Sequence, residues 1–308
     1  MILNNKKNVT YKVSCYEVFK NNKLGKGNYS EVFLGKCLDL GKITKFKIIN
    51  GFVAIKKINV ANLNKNSLKK IKDEVKVMEL IRDNPHENIV GCYDIIDDID
   101  TIYIVMEYCV DGDLSRYLGC PISEHKCQNY FHQITKGLIY LYDNNIIHRD
   151  LKPKNILLTD NKRNVKLCDF GLSKITTNLT RVNTVCGSPL YMAPEILNHK
   201  EYDNKIDMWS IGIILYEMLF GYHPLIHCKD IDDLKNYLNE KNIDVPPKDF
   251  KGIISVDCEN LLKLLLEKVD RNRIDVKKIL DHKWINKKIF THTENIGNEQ
   301  CDIFNFEY

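Results

Sequence analysis

Proline is scarce in this chain, eight residues in 308, alongside abundant Asn, Ile and Lys; an AT-rich coding sequence would produce that bias, and no function is read from it. The eleven cysteines are odd in number and include no CxxC pair. With no secretory signal at the start, reduced thiols in a cytoplasmic compartment are expected rather than a disulfide framework. Long apolar runs are missing as well. The longest, Ile211 to Phe220, is interrupted by Gly212 and Glu217 and is too short to span a bilayer, so no membrane segment is expected. Charge of one sign never accumulates. The net charge is +4, lysines are spread along the chain, and no basic tail suggests a nucleic-acid partner.

What is present is 44% apolar and 28% charged residues, the balance of a soluble globular protein with one large or two modest domains. Residues 1–16 are polar and basic and read as a lead-in. Leu24-Gly25-Lys26-Gly27-Asn28-Tyr29-Ser30-Glu31-Val32 reads as strand, turn and strand, with two glycines that let backbone N–H groups approach phosphate oxygens. An ordinary hairpin fits the same residues. Residues 36–52 extend the next hairpin and carry Lys42, Lys45 and Lys47, which read as a solvated tip. Val53-Ala54-Ile55-Lys56 reads as a buried strand ending in an ammonium that needs anionic partners. Leu68, Ile71, Val75 and Met78 recur at the helical period, and Glu74 shares their face. The stretches 86–90 and 101–106 read as two strands around a polar turn at Asp97 to Asp100. A linker-like segment, Glu107-Tyr108-Cys109-Val110-Asp111-Gly112-Asp113-Leu114, follows. Ser123 to Asn145 is helical in pattern, with Ser123 as a candidate N-cap.

That helix leads into His148-Arg149-Asp150-Leu151-Lys152-Pro153-Lys154-Asn155, then Ile156-Leu157-Leu158, then Asp169-Phe170-Gly171. A threonine-rich polar stretch runs on to Ala193-Pro194-Glu195. Singly, each acid has a plain reading, Asp150 as a turn residue and Asp169 as a strand-end cap. In this order the motifs resemble those of a eukaryotic-type Ser/Thr protein kinase over about residues 17–287. Ser30 stands where the glycine-rich pattern has its third glycine. Locally, Val105-Met106-Glu107-Tyr108-Cys109 with Gly112-Asp113-Leu114, and Cys186-Gly187-Ser188-Pro189-Leu190-Tyr191-Met192 leading into Ala193-Pro194-Glu195, are similar to the autophagy-initiating kinases. That subfamily normally has a long C-terminal region for regulators and membranes, and the short tail here does not carry that role over.

The resemblance implies an α+β, bilobal protein kinase fold: a small antiparallel-sheet N-lobe with one helix at 17–106, a hinge at 107–113, a larger, mainly helical C-lobe at 114–287, and a tail at 288–308. It implies ATP and Mg2+, with Mn2+ as an alternative ion, and protein substrates bearing Ser or Thr. Asp150 would accept the substrate hydroxyl proton and Lys152 would contact the γ-phosphate. Lys56 would hold the α/β phosphates and pair with Glu74. Asn155 and Asp169 would hold the metal ions. Leu24, Gly25, Gly27, Val32, Ala54, Met106, Glu107, Cys109, Asp113 and Leu157 would surround the nucleotide, with Val32 and Ala54 on one face of the adenine, Leu157 on the other and Asp113 near the ribose. Asp207 would bond the catalytic-loop backbone, and Glu195 would pair with Arg273.

Lys152 and Ser188 fit the Ser/Thr pattern rather than the Tyr pattern. Thr184 falls where the family carries an activating phosphate, with Arg149, Lys174 and Lys70 as its receivers. A plain polar threonine is the simpler reading. Cys168 reads as a packed apolar residue. Val185, Pro189 and Met192 would line an apolar pocket for the residue after the phosphoacceptor. Lys154 stands where basic-directed kinases place a glutamate, so weak preference for arginine before the target is expected. A catalytically weak nucleotide-binding scaffold is the alternative function; such chains usually lack one of the residues present here as Lys56, Asp150 and Asp169. Oligomeric state is not legible in the sequence.

Overall fold

The computed structural model describes residues 9–27, 29–39, 41, 50–176, 184 and 186–286. Six antiparallel strands come first: β1 (Thr10–Val13), β2 (Tyr16–Lys26), β3 (Ser30–Cys37), β4 (Phe52–Asn59), β5 (Cys92–Asp98) and β6 (Thr101–Glu107), in spatial order β1-β2-β3-β4-β6-β5. One helix, α1 (Lys65–Asp83), interrupts them. The remainder is mainly helical: α2 (Glu124–Asp143), α3 (Pro194–Leu197), α4 (Lys205–Phe220), α5 (Ile231–Glu240), α6 (Val256–Leu265), α7 (Val276–Leu280) and α8 (Lys283–Asn286). Short strand pairs, β7 (Ile146–Ile147) with β10 (Lys174–Ile175) and β8 (Ile156–Thr159) with β9 (Asn164–Leu167), lie between α2 and α3 in sequence. This is the expected α+β protein kinase fold.

The sheet register decides which side chains can reach the cleft. Val32 lies opposite Lys56, and Ala54 opposite both Leu34 and Met106. Directly opposed residues share a face, and so do residues two apart along a strand. Val32, Ala54, Lys56 and Met106 therefore line one face. Phe33, Val53, Ile55, Tyr103 and Val105 line the other, and with Tyr16, Val18 and Cys37 they form a second, smaller core. The main core runs from α1 through the helical lobe. At its centre α4 is buried along nearly its whole length.

Several sequence expectations are corrected. The lead-in at 1–16 is too long, because Thr10–Val13 pairs with β2 and Tyr16 begins that strand. Tyr11 and Val13 pack on the smaller core, which a polar tetrapeptide does not reveal by itself. Residues 86–90 are not a sheet strand; β5 is Cys92–Asp98. A turn forms there instead, with the Asn88 N–H on His86 Nδ1 at 3.0 Å, and the Val90 N–H goes to Leu167 O at 2.9 Å, in the helical lobe. The last part of the lobe is divided among α6, α7 and α8, with a 3₁₀ turn at Asp270–Asn272. Ser123 does precede α2, but its side chain makes no capping hydrogen bond. Residues 42–49, the threonines 177 and 180, Val185 and the tail 288–308 lie outside the described residues. Among the described residues no helix is long and apolar enough to cross a membrane.

Candidate active site

Lys56 sits near the centre of a central strand and Glu74 on the buried face of α1. Lys56 Nζ lies 2.5 Å from Glu74 Oε1 and 3.5 Å from Asp169 Oδ1. Burial alone would pull the ammonium down, yet the carboxylates of Glu74 and Asp169 outweigh it and hold Lys56 above its usual range. The Asp169 carboxyl is likewise opposed by burial, and the Lys56 charge holds it below the usual carboxylate range. Both groups are therefore charged at neutral pH. An ammonium has three donors, and two carboxylates leave Lys56 capacity for another anion.

The loop from His148 to Asn155 is held from below by Asp207, the buried acid in the first turn of α4. Its Oδ2 accepts the His148 N–H at 2.9 Å, and its Oδ1 the Arg149 N–H at 3.0 Å. Burial pushes the Asp207 carboxyl up, and these bonds with that from Tyr142 oppose the shift. So anchored, Arg149 is held at φ 67° and Asp169 at φ 63°, conformations that non-glycine residues seldom adopt and that concentrate at working sites. Asp150 is the focus of the loop. Its Oδ2 accepts from Lys152 Nζ at 2.7 Å and Asn155 Nδ2 at 3.1 Å, and its Oδ1 from Ser188 Oγ at 3.0 Å. Lys152 also donates to Ser188 Oγ at 2.9 Å. The Cys168 N–H donates to Asn155 O at 3.0 Å, which sets Asp169 beside the loop. Lys56, Asp169, Asn155 and Asp150 are thus linked in one run, the step from Asp169 to Asn155 passing through the Cys168 backbone.

That run, on this fold, is accompanied by similarity to known proteins. Residues 18–285 match the protein kinase domain family. The chain belongs to this family. It is 36% identical over 271 residues to the serine/threonine-protein kinase atg1 of Dictyostelium discoideum, covering 86% of this chain and 38% of that protein. It is 34% identical over 278 residues to the serine/threonine-protein kinase ULK3 of Homo sapiens, covering 89% and 56%. With the serine/threonine-protein kinase ATG1b of Arabidopsis thaliana it shares 35% over 269 residues, covering 86% and 36%. This chain therefore spans 36% to 56% of the length of these relatives.

The remaining expected residues of this kinase domain fall as follows. Gly25 lies opposite Val32, and Gly27 N–H closes the turn onto Ser30 O at 2.8 Å. A Cβ on Gly27 would lie 2.8 Å from Ser30 Oγ, so a larger residue there would require the Ser30 side chain to turn away. Leu24 stands on the same strand, partly exposed. Glu107 ends β6, and Cys109 is buried just beyond it. Leu157 is on β8 and forms an isolated bridge with Asp113. The Asp113 carboxylate is occupied within its own turn: Oδ1 takes the Ser115 N–H and hydroxyl, and Oδ2 takes Arg116 Nε at 3.2 Å. Burial pushes the Cys168 thiol well above its usual range, consistent with a packed apolar residue.

Thr184 is exposed, and its carbonyl accepts the Tyr202 hydroxyl at 2.7 Å. Among the described residues no hydrogen bond or ion pair joins the Thr184 side chain to Arg149, Lys174 or Lys70. Arg149 instead donates through Nε to Leu172 O at 2.6 Å. Lys174 is in β10 and Lys70 is exposed on α1. Pro189 is exposed at the start of a 3₁₀ turn, and Met192 is buried beside Asp150 and Leu151, lining the same small cavity.

Among the described residues no group of three or more His, Cys, Asp or Glu side chains converges as a metal cage. A hard divalent ion can be held by only one or two protein oxygens when phosphates and water complete its shell. Asp169 offers an ionised carboxylate. Asn155 has its amide nitrogen on Asp150 O and Oδ2, which leaves the amide oxygen as its acceptor. The donor set fits a hard divalent ion.

Sequence reasoning missed the Asp113–Arg116 contact, although their i,i+3 spacing on a helical turn was a usable signal. It also missed the Lys166–Glu107 ion pair at 2.8 Å and the Tyr202–Thr184 contact. Neither has a local signal, because each joins separate segments.

Proposed function

We propose that this chain is an active Ser/Thr protein kinase that moves the γ-phosphate of Mg-ATP to Ser or Thr hydroxyls of proteins. The observation that carries the reading is Asp150, whose carboxylate is aimed by Lys152, Asn155 and Ser188 and joined through Asn155 to the Asp169–Lys56 pair. Phosphoryl transfer is mostly positioning and charge stabilisation, and these residues supply both. Asp150 would receive the substrate hydroxyl proton and point that oxygen at the phosphorus. Lys152, already on Asp150 and Ser188, would turn its remaining donor to the γ-phosphate. Lys56, fixed by Glu74, would hold the inner phosphates. A divalent ion held by Asp169 and Asn155 would supply neutralisation of the phosphate oxygens. The sheet face of Val32, Ala54 and Met106 with Leu157 of β8 would enclose the adenine and exclude water.

The test is phosphate transfer from labelled ATP to a generic protein by the wild type and by Asp150→Asn. Loss of the proton acceptor is expected to lower the rate by about 10²–10⁴. Equal transfer by both would leave the nucleotide-binding scaffold as the better account.

Control by phosphorylation at Thr184 belongs to the same proposal. The threonine is exposed, and Arg149 stands beside Tyr202, which bonds the Thr184 carbonyl. A phosphate there would recruit Arg149 and Lys174 through charge-assisted hydrogen bonds and stiffen the segment that carries Ser188. Phosphatase-treated wild type is expected to lose activity down to the level of Thr184→Ala. If treatment left the wild-type rate unchanged, Thr184 would be an ordinary surface residue.

A further inference from the structure

The Asp150 carboxylate is approached from two sides, and the two sides differ in charge. Ser188 holds Oδ1, and behind it lie Pro189 and the buried Met192. On the Oδ2 side are Lys152 and Asn155, with Lys154 between them in sequence. Lys154 is exposed, and among the described residues it has no ion-pair partner. The 3₁₀ turn Leu114–Tyr117 lies against the turn Pro153–Asn155, so Arg116, whose guanidinium packs beside Gly112, belongs to the turn next to Lys154. The Arg116 side chain is 61% exposed and commits only Nε to Asp113, so its terminal nitrogens keep their donors. Lys162 lies next along, its Nζ 4.4 Å from the centre of the Tyr117 ring.

The carboxylates that could offset these cations each hold at least one hydrogen-bond partner. Asp113 has both oxygens filled by Ser115 and Arg116. Asp111 accepts the Lys162 N–H at 2.9 Å. Glu217, under the segment that carries Met192, is half-buried and takes the Tyr191 hydroxyl at 2.8 Å. A cationic side chain laid along this flank would meet like charge at Lys154 and Arg116, while Asp111, Asp113 and Glu217 each already accept a hydrogen bond. A carboxylate would meet two exposed donors.

We propose that the site selects substrates with an acidic residue on the flank of the target hydroxyl away from Pro189 and Met192, the upstream flank in the orientation given above. Lys154 and Arg116 are the residues that read it. This rests on the Ser/Thr kinase reading and goes past the weak arginine preference expected from the sequence, because Arg116 turns indifference into selection for the opposite sign.

The experiment compares kcat/KM for peptides with one serine, one apolar residue after it, and Glu, Ala or Arg at each of the three preceding positions. At the best position Glu is expected to exceed Ala by about fivefold, the upper range for an exposed ion pair. Glu should exceed Arg by about tenfold, since like charge is penalised as well. Both ratios should shrink toward one as salt rises from about 0.05 to 0.5 M. Lys154→Glu should invert the Glu-to-Arg ratio, and Arg116→Ala should reduce it. A wild-type ratio at or below one, or a ratio that Lys154→Glu does not move, overturns the proposal while the kinase reading stands. Transfer to no peptide and to no generic protein would instead sink the kinase reading, and this inference with it.

Discussion

Glu195 and Arg273 meet in the helical lobe in a two-pronged contact of 2.6 and 2.9 Å, with side-chain exposures of 6% and 0%. Lys56 and Glu74 meet in the cleft at 2.5 Å, with exposures of 12% and 9%. The first pair is closed. Arg273 also donates to the carbonyls of Glu267, Lys205 and Lys268 and packs over Trp209, so its whole fork is spent. The second pair is open, because a third charge, Asp169, stands 3.5 Å from Lys56 with its side chain 48% exposed. An ion pair with every donor matched holds a fold together. One with a spare donor and a solvent-facing third member is equipped to receive a charged ligand.

The largest effect that separates the two is expected at Arg273. Arg273→Ala leaves Glu195 buried without its partner and should cost about 3–5 kcal/mol of stability by chemical denaturation. Lys56→Met should do the reverse. Transfer should fall by about 10²–10³ in kcat/KM, as when one preorganised donor is removed from a charged transition state. Its loss of stability should be clearly smaller than that of Arg273→Ala. The comparison breaks if Lys56→Met destabilises as much as Arg273→Ala while sparing transfer. A third variant sharpens it at the junction of the cleft with the substrate segment. Gly187 has φ 112°, and a Cβ there would lie 2.7 Å from Arg149 O. Gly187→Ala should cost about 1–3 kcal/mol and displace Ser188 from Asp150. Thermal denaturation and transfer rates on one preparation would show both effects, and a variant with wild-type values in each would remove the strain argument.

The two pairs were legible in the sequence to different depths. The helical period put Glu74 on the buried face of α1, and burial of an acid asks for a cation wherever it occurs. The fold and the catalytic stretch could be read because motif spacing and apolar periodicity are local properties. Arg273 and Asp207 were placed only through the resemblance, since nothing near either residue names its partner. Strand β1 escaped because, although it pairs with the adjacent β2, Tyr11 and Val13 pack on a core built largely by β3, β4 and β6, which four residues of sequence do not reveal. The misread strand at 86–90 has the opposite cause. Ile89 and Val90 have the apolar character of a buried strand, but their backbone is engaged by Leu167 of the other lobe. Pattern gives burial, and tertiary pairing decides what does the burying.

The smallest expected effect is a flat line, and its sign follows from the cleft charges. The folded Asp169 carboxyl titrates below its ordinary 3.8 because Lys56 is beside it. Folding therefore favours its ionised form, and the stability this gives is complete above that ordinary value and is lost as pH falls through the lower, folded one. Lys56 titrates above its ordinary 10.5. Its contribution is complete below that value and is lost as pH rises through the higher, folded one. Between the two neither group changes charge. The difference in unfolding free energy between wild type and Asp169→Asn should then stay level from about pH 5 to 9, both limits lying between the ordinary carboxylate and lysine values. Denaturant titrations at several pH values measure it directly. A difference that grew steadily from pH 5 to 8 would mean that burial, not Lys56, controls the carboxyl. Asp169 would then be protonated near neutrality and unsuited to hold a cation, and the open pair would be no more than a second structural one.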